Sequence, residues 1–228
     1  MNRMLLRLLL MSVLLTGCGR GYKMENGRWA WVSWDEAAGR RTLFLEGVDN
    51  ASFHRLSRPD YAADKSSVFH KNLKVPGADP ASFRSLEGAY WRDAKKVYLD
   101  GSEIVGADPE TFKLLSKPGW SCDKKDVYTG MTALHVRDVS SFTLLQGVWA
   151  KDDKAYYANG ALLAYKTVPC DYSTFVILNG NYAKDKDRGY WQGMPIEHSD
   201  GPSFQALNEF LARDKEHEYS GARERNTE

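Results

Sequence analysis

The sequence predicts an α+β architecture of tandem repeats about 30 residues long, each a short antiparallel β-meander followed by a short α-helix. Three observations predict it. A helix-start pattern, Asp-x-x-Ser/Thr-Phe-x-x-Leu, recurs six times. An aromatic–Asp–aromatic pattern recurs five times. The best-formed copy, from Tyr90 to Leu115, carries an Asp-Gly pair between apolar residues. Self-similarity at such a period is the signature of repeat folds, whose units bury a core only by stacking.

Within that copy, Asp100-Gly101 lies between Val97-Tyr98 and Ile104-Val105. Asp-Gly suits a two-residue hairpin turn, because both central residues need positive φ. Asp108-Pro109-Glu110-Thr111-Phe112 then reads as a helix start. Asp is a favoured N-cap, and Pro at the first helical position loses no hydrogen bond. Phe112 and Leu115 lie three apart, on one helical face.

The helix starts are Asp49/Phe53, Asp79/Phe83, Asp108/Phe112, Asp138/Phe142, Asp171/Phe175 and Asp200/Phe204, with Phe intervals of 30, 29, 30, 33 and 29. The strand signals are Tyr61/Asp64/Phe69, Tyr90/Asp93/Tyr98, Trp120/Asp123/Tyr128, Trp149/Asp152/Tyr157 and Tyr182/Asp185/Tyr190. The aromatics are eight apart in each. An odd loop between them sets them face to face; an even loop sends them to opposite faces.

In chain order, residues 1–17 are a charged start with Arg3 and Arg7, then an apolar run. That is the pattern of a secretory signal, too short for a stable span. Leu15-Thr16-Gly17-Cys18 resembles the bacterial lipobox. The resemblance implies cleavage before Cys18 and acylation of Cys18, with more than one chain for stable anchoring. Gly19 stands where an Asp resembles an inner-membrane retention signal, so a Gram-negative source implies the periplasmic face of the outer membrane. Residues 18–28 are expected to be a polar tether.

The repeat domain is expected over residues 29–211. Trp29-Ala30-Trp31-Val32-Ser33-Trp34 alternates with a strand's period and pairs with residues 42–46 as an incomplete first copy. The fourth copy contains the interval of 33, and Leu162–Val168 is expected to lengthen its third strand or the following loop. Met194-Pro195-Ile196 places Pro where only an edge strand tolerates it. A longer helix is expected through Leu211, and residues 212–228 form an expected polar, frayed tail.

Asp64-Lys65, Asp123-Lys124, Asp185-Lys186 and Lys151-Asp-Asp-Lys-Ala-Tyr-Tyr157-Ala-Asn-Gly160 resemble the DKNYY repeat family. Gly77-Ala78-Asp79-Pro80 and Gly106-Ala107-Asp108-Pro109 match its Gly-Ala-Asp segment. The resemblance spans about residues 41–208. The Asn of the family's name is replaced, with Ser66, Lys125, Ala155 and Asp187 standing near it. The resemblance implies architecture and envelope association only, and carries over no activity.

Without Arg3 and Arg7 the 31 basic residues become 29, against 30 acidic ones. Balanced charge argues against a nucleic-acid partner. Beyond Cys18, Cys122 and Cys170 are an even pair in an oxidising compartment, open to a disulfide between neighbouring units or to two buried thiols. No nucleophile motif, zinc motif or phosphate loop is present. His54, His70, His135, His198 and His217 occupy different places in their units, so no catalytic residue, metal ligand or cofactor is expected. Asp185-Lys186-Asp187-Arg188-Gly189 faintly resembles a calcium loop but lacks the ligand count, and turn formation explains its Asp. The recurrent aromatics are expected in the core. Trp91 and Trp191 fall outside that frame and are the expected exposed binding aromatics.

The function expected from the sequence is a non-enzymatic, lipid-anchored envelope module that binds a protein or polymer. The alternative is an envelope hydrolase with dispersed catalytic residues. A deep pocket with convergent titratable groups marks the enzyme, and a shallow face with aromatics the binder.

Overall fold

A computed structural model describes residues 20–159 and 165–225. The leader and Cys18 lie outside the described residues. Among these residues every regular element is a strand, and each sheet is antiparallel. The expected helix after each meander is therefore absent, and the architecture is all-β.

The helix signals fold as turns. Phe112 N–H donates to the Asp108 carbonyl at 3.0 Å. The chain then straightens into a strand, Lys113–Leu114, that pairs with Cys122 and Ser121. Ser/Thr/Asp caps serve turns and helices alike, because both need an acceptor for exposed N–H groups. A helix this short has little stability of its own, whereas the neighbouring strand offers its backbone a partner.

The chain divides into two units. The first takes residues to Ala94 with Asp100–Ser102, and the second takes Lys95–Leu99 with Glu103 onward. The first contains a three-stranded sheet of Gly21–Glu25, Arg28–Asp35 and Gly39–Phe44. Residues 21–25, expected as tether, are thus the sheet's first strand, paired in register from Gly21↔Val32 to Glu25↔Arg28. Tyr22 is the reason: its ring is 1% exposed and packs on Trp31 and Phe53. A complete meander follows, His54–Arg55, Tyr61–Ala63, Val68–His70 and Leu73–Lys74.

The second unit holds four complete meanders, spanning residues 113–133, 143–167, 176–195 and 205–224. The last lies where a longer helix and a frayed tail were expected. Leu211–Arg213 and Glu218–Ser220 are its central strands, and Ala212 and Tyr219 are fully buried. Asp214 and Tyr219 keep the repeat's spacing; Leu211 replaces the first aromatic and hides the copy. Met194–Pro195 is an edge strand, as the Pro requires.

The central hairpins turn through four residues. Cys122 pairs with Val127 around Asp123–Asp126, so Trp120 faces Thr129 and Tyr128 faces Ser121. The loop is even, and the two aromatics point to opposite faces. Both faces are buried, with Trp120 5% and Tyr128 2% exposed. Each recurrent Phe fills the space between successive meanders. Phe142 lies 5.9 Å from Trp120 of one and 6.1 Å from Tyr157 of the next. Phe175 joins Trp149 and Tyr190 in the same way, and Phe204 joins Tyr182 and Tyr219.

Candidate functional site

The recurrent hairpin Asp is the hub of each meander. Asp152 is 1% exposed. Its Oδ1 accepts the N–H groups of Lys154 at 2.8 Å and Ala155 at 2.7 Å, closing its own turn. Its Oδ2 accepts the N–H groups of Arg137 and Asp138, both at 2.9 Å, from the loop before the meander. Tyr157 Oη donates to the same oxygen at 2.6 Å. Asp123, Asp185 and Asp214 repeat the pattern with Tyr128, Tyr190 and Tyr219. Burial alone would raise the Asp152 carboxyl; the hydrogen bonds from Tyr157 and the backbone outweigh it and hold it below its usual range.

The Lys after the hub has a recurrent partner too. Lys65, Lys124 and Lys186 donate to Asp49, Asp108 and Asp171 at 2.7, 2.9 and 2.7 Å. Lys124 holds the Asp108 carboxyl down to about 2. The Asp-Lys pair is thus an anchor for the preceding loop. Asp185 binds Asp187 and Arg188 N–H rather than standing open to a cation. Among the described residues no group of three or more His, Cys, Asp or Glu is placed to hold a metal ion.

Among the described residues of the second unit, open clefts lie between a hub turn and the loop that begins the next meander. One, about 460 Å³, is lined by Thr111, Lys113, Cys122, Asp123, Lys124 and Val139 among others. Another, about 380 Å³, is lined by Arg137, Lys154, Tyr156, Cys170 and Tyr172 with residues 167–169. None of the five histidines lines either cleft. His70 instead stacks on Tyr61 at 4.6 Å, and His135 sits 3.0 Å from Asp126.

The smaller cleft forms where the repeat departs from its pattern. Tyr156 takes a position held by Val68, Val97 and Val127 in other copies. Tyr172 takes the position of Pro109, Val139 and Gly201. The link from Val168 to Asp171 is three residues, where Ile104 to Asp108 is four; Val168 and Ile104 make equivalent hydrogen bonds to the third strand. The residues that widen the Phe interval fall between Asn159 and Tyr165, outside the described residues. Tyr156 and Tyr172 lie 5.0 Å apart, and Tyr156 packs 4.4 Å from Phe175. Phe175 is 7% and Tyr172 38% exposed, so three rings lead from core to surface. Tyr172 Oη donates to the Asp152 carbonyl at 2.9 Å.

At the equivalent place one meander on, Gly201 lies against the Asp185 turn. A Cβ on Gly201 would stand 2.3 Å from the Asp185 carbonyl oxygen. Glycine lets that loop close on the turn; Tyr172 spaces its counterpart away.

The structure places the other expected site residues differently. Cys122 and Cys170 are free thiols, one in the lining of each cleft, and no bridge joins them. They belong to different meanders and serve different packing sites. Burial raises both, Cys170 to about 12, so neither is a ready nucleophile. Trp91 is not an exposed binding aromatic: it is 1% exposed, stacked on Phe83 at 5.0 Å and 4.4 Å from Tyr61. Trp191 is half-buried, against Tyr182. Both directly follow a frame aromatic, in central strands whose residues, Tyr90–Arg92 and Gly189–Trp191, are buried or half-buried. Sequence reasoning missed Tyr156, Tyr172, Arg137 and Lys154. Their signal was the departure of two tyrosines from the repeat.

A family model described as the DKNYY family matches residues 90–223, more than half of the chain. No curated protein and no solved structure matches. The chain belongs to the DKNYY family.

Proposed function

We propose that this DKNYY-family chain is a non-enzymatic binding module of the bacterial envelope, held there by lipid on Cys18. One observation carries the binding half. The cleft at Tyr156 and Tyr172 combines aromatic rings with two cationic side chains at the place where the repeat is broken, while the hub carboxylates are saturated by backbone N–H groups. A residue set that departs from a structural repeat serves something other than the repeat, and loops on a rigid scaffold are the usual place for recognition. The raised thiols and the lack of histidine in the cleft lining support binding over turnover. The motif Leu15-Thr16-Gly17-Cys18 supports the anchor.

The anchor is tested by expressing the full chain in a bacterium and weighing the mature N-terminus. Acyl mass on residue 18 is expected, with Cys18→Ser released from the membrane fraction; a start elsewhere ends the reading. The binding role is tested by retaining envelope components on the full chain and on Arg137→Gln. A component held by the first and lost by the second is expected. An envelope hydrolysis abolished by a single His substitution, with the melting temperature unchanged, would overturn it.

A further inference from the structure

The geometry points to a carboxylated glycan, a chain containing uronic-acid units, as the ligand of the cleft at Tyr156 and Tyr172; this rests on the binding-module reading. Three features select it. The first is the cationic rim. Arg137 and Lys154 line the cleft, and their backbones are fixed by the Asp152 carboxylate at 2.9 and 2.8 Å. Lys151 adds a third cation, its Nζ 5.8 Å from the Tyr156 ring. Opposing charges lie nearby: Asp138, whose carboxyl Lys154 helps to lower, and Asp171 and Asp185, which help to raise the lining Cys170 thiol. Asp138 accepts Ser140 N–H at 2.9 Å and Ser140 Oγ at 2.6 Å and stays ionised, and Asp171 is paired with Lys186 at 2.7 Å, so the cations offered to a ligand are Arg137, Lys154 and Lys151. An Arg fork matches a carboxylate in two parallel hydrogen bonds.

The second feature is the ring pair. Tyr156 and Tyr172 offer apolar faces with hydroxyl edges, suited to the flat C–H face and polar rim of a sugar ring. Tyr172 is held by its Oη bond to Asp152, so its ring is positioned before any ligand arrives.

The third feature decides against an acidic peptide. Peptide recognition leans on free backbone groups that pair with the guest's main chain. Here most of the lining backbone donors are already engaged. The N–H groups of Arg137, Lys154 and Ala155 bind Asp152, that of Val168 binds the Tyr156 carbonyl, and that of Cys170 binds the Val168 carbonyl. Pro169 has none. Recognition is left to side chains: rings and cations. A volume of about 380 Å³ falls in the range of ligand clefts, about 300–1,000 Å³, and its open form suits a polymer passing through.

The test is calorimetric titration of the full chain in detergent with a galacturonate pentamer, its carboxyl-reduced neutral counterpart, and polyglutamate. The pentamer should bind, more weakly as salt rises, and the neutral counterpart should not. Arg137→Gln and Tyr172→Ala should each weaken it about tenfold or more, since a charge-assisted hydrogen bond exceeds one decade of affinity. Tyr172→Phe, which keeps the ring but frees it from the Asp152 carbonyl, should weaken it less than Tyr172→Ala does. An unchanged melting temperature shows that each variant is folded. Equal binding of the neutral sugar, stronger binding of polyglutamate with the same variant losses, no binding at all, or binding indifferent to both variants would each overturn the proposal. If the pentamer fails while an Arg137-dependent envelope component is retained, the binding module stands and only the glycan assignment falls.

Discussion

Tyr157 Oη donates a 2.6 Å hydrogen bond to Asp152 Oδ2, five residues earlier and across the same hairpin. The carboxylate also carries four backbone N–H groups, so this one pair ties turn, sheet and preceding loop together. Phe69 stands at the equivalent place beside Asp64, which shows that the ring alone fits the position. Tyr157→Phe should therefore cost about 2 kcal/mol, one charge-assisted bond. Asp152→Ala strands several buried donors and should cost more than about 3 kcal/mol. Urea unfolding of the two variants checks the order; equal costs would remove Asp152 from its central role.

Phe204 joins two meanders, 6.0 Å from Tyr182 and 5.8 Å from Tyr219, and is fully buried. Phe204→Ala should cost about 3–5 kcal/mol through the cavity left behind. Phe210, nearby in sequence, is 67% exposed; Phe210→Ala should stay within about 0.5 kcal/mol. Thermal melts of both distinguish packing residue from surface residue.

Stability should fall at both pH extremes. Lys124 holds Asp108 down to about 2, and backbone and Tyr219 hydrogen bonds overcome burial to hold Asp214 at about 2. Unfolded Asp titrates near 3.9, so the contribution is full above about pH 5 and is lost as pH falls from 4 towards 2. Burial, then the Asp152 hydrogen bond, raises Tyr157 to about 12, and burial raises Tyr182 to about 12. Unfolded Tyr titrates near 10, so the fold loses stability as pH rises from about 10 to 12. A plateau of melting temperature between these limits is expected; stability still constant at pH 3 would contradict the carboxylate network.

Gly201 allows its loop to lie on the Asp185 turn. Gly201→Ala would bring a methyl to 2.3 Å from a backbone carbonyl, and the forced shift should cost about 1–3 kcal/mol. Tyr172→Ala removes bulk at the equivalent place, so it leaves no such clash. Comparing their denaturation midpoints tests whether the two loops differ as the structure has them.

The sequence by itself determined the repeat, its period, its hairpin turns and the core role of the frame aromatics. Those are properties of spacing, and spacing survives in one dimension. Asp100-Gly101 adopts positive φ at both residues, 47° and 78°, as that pair predicts. Only the tertiary structure decided what Asp108–Leu115 becomes, because the same caps begin a helix or a turn and the choice falls to whichever partner the following backbone finds. It also decided that Gly21–Glu25, Leu211–Arg213, Glu218–Ser220 and Arg223–Glu224 are strands, since their sheets supply the hydrogen bonds that their own composition does not announce. The cleft was legible least of all. Tyr156, Tyr172, Arg137 and Lys154 lie within 36 positions of each other in the chain, yet they line one cleft because the Asp152 carboxylate gathers its turn and the preceding loop while its carbonyl takes the Tyr172 hydroxyl from the following one.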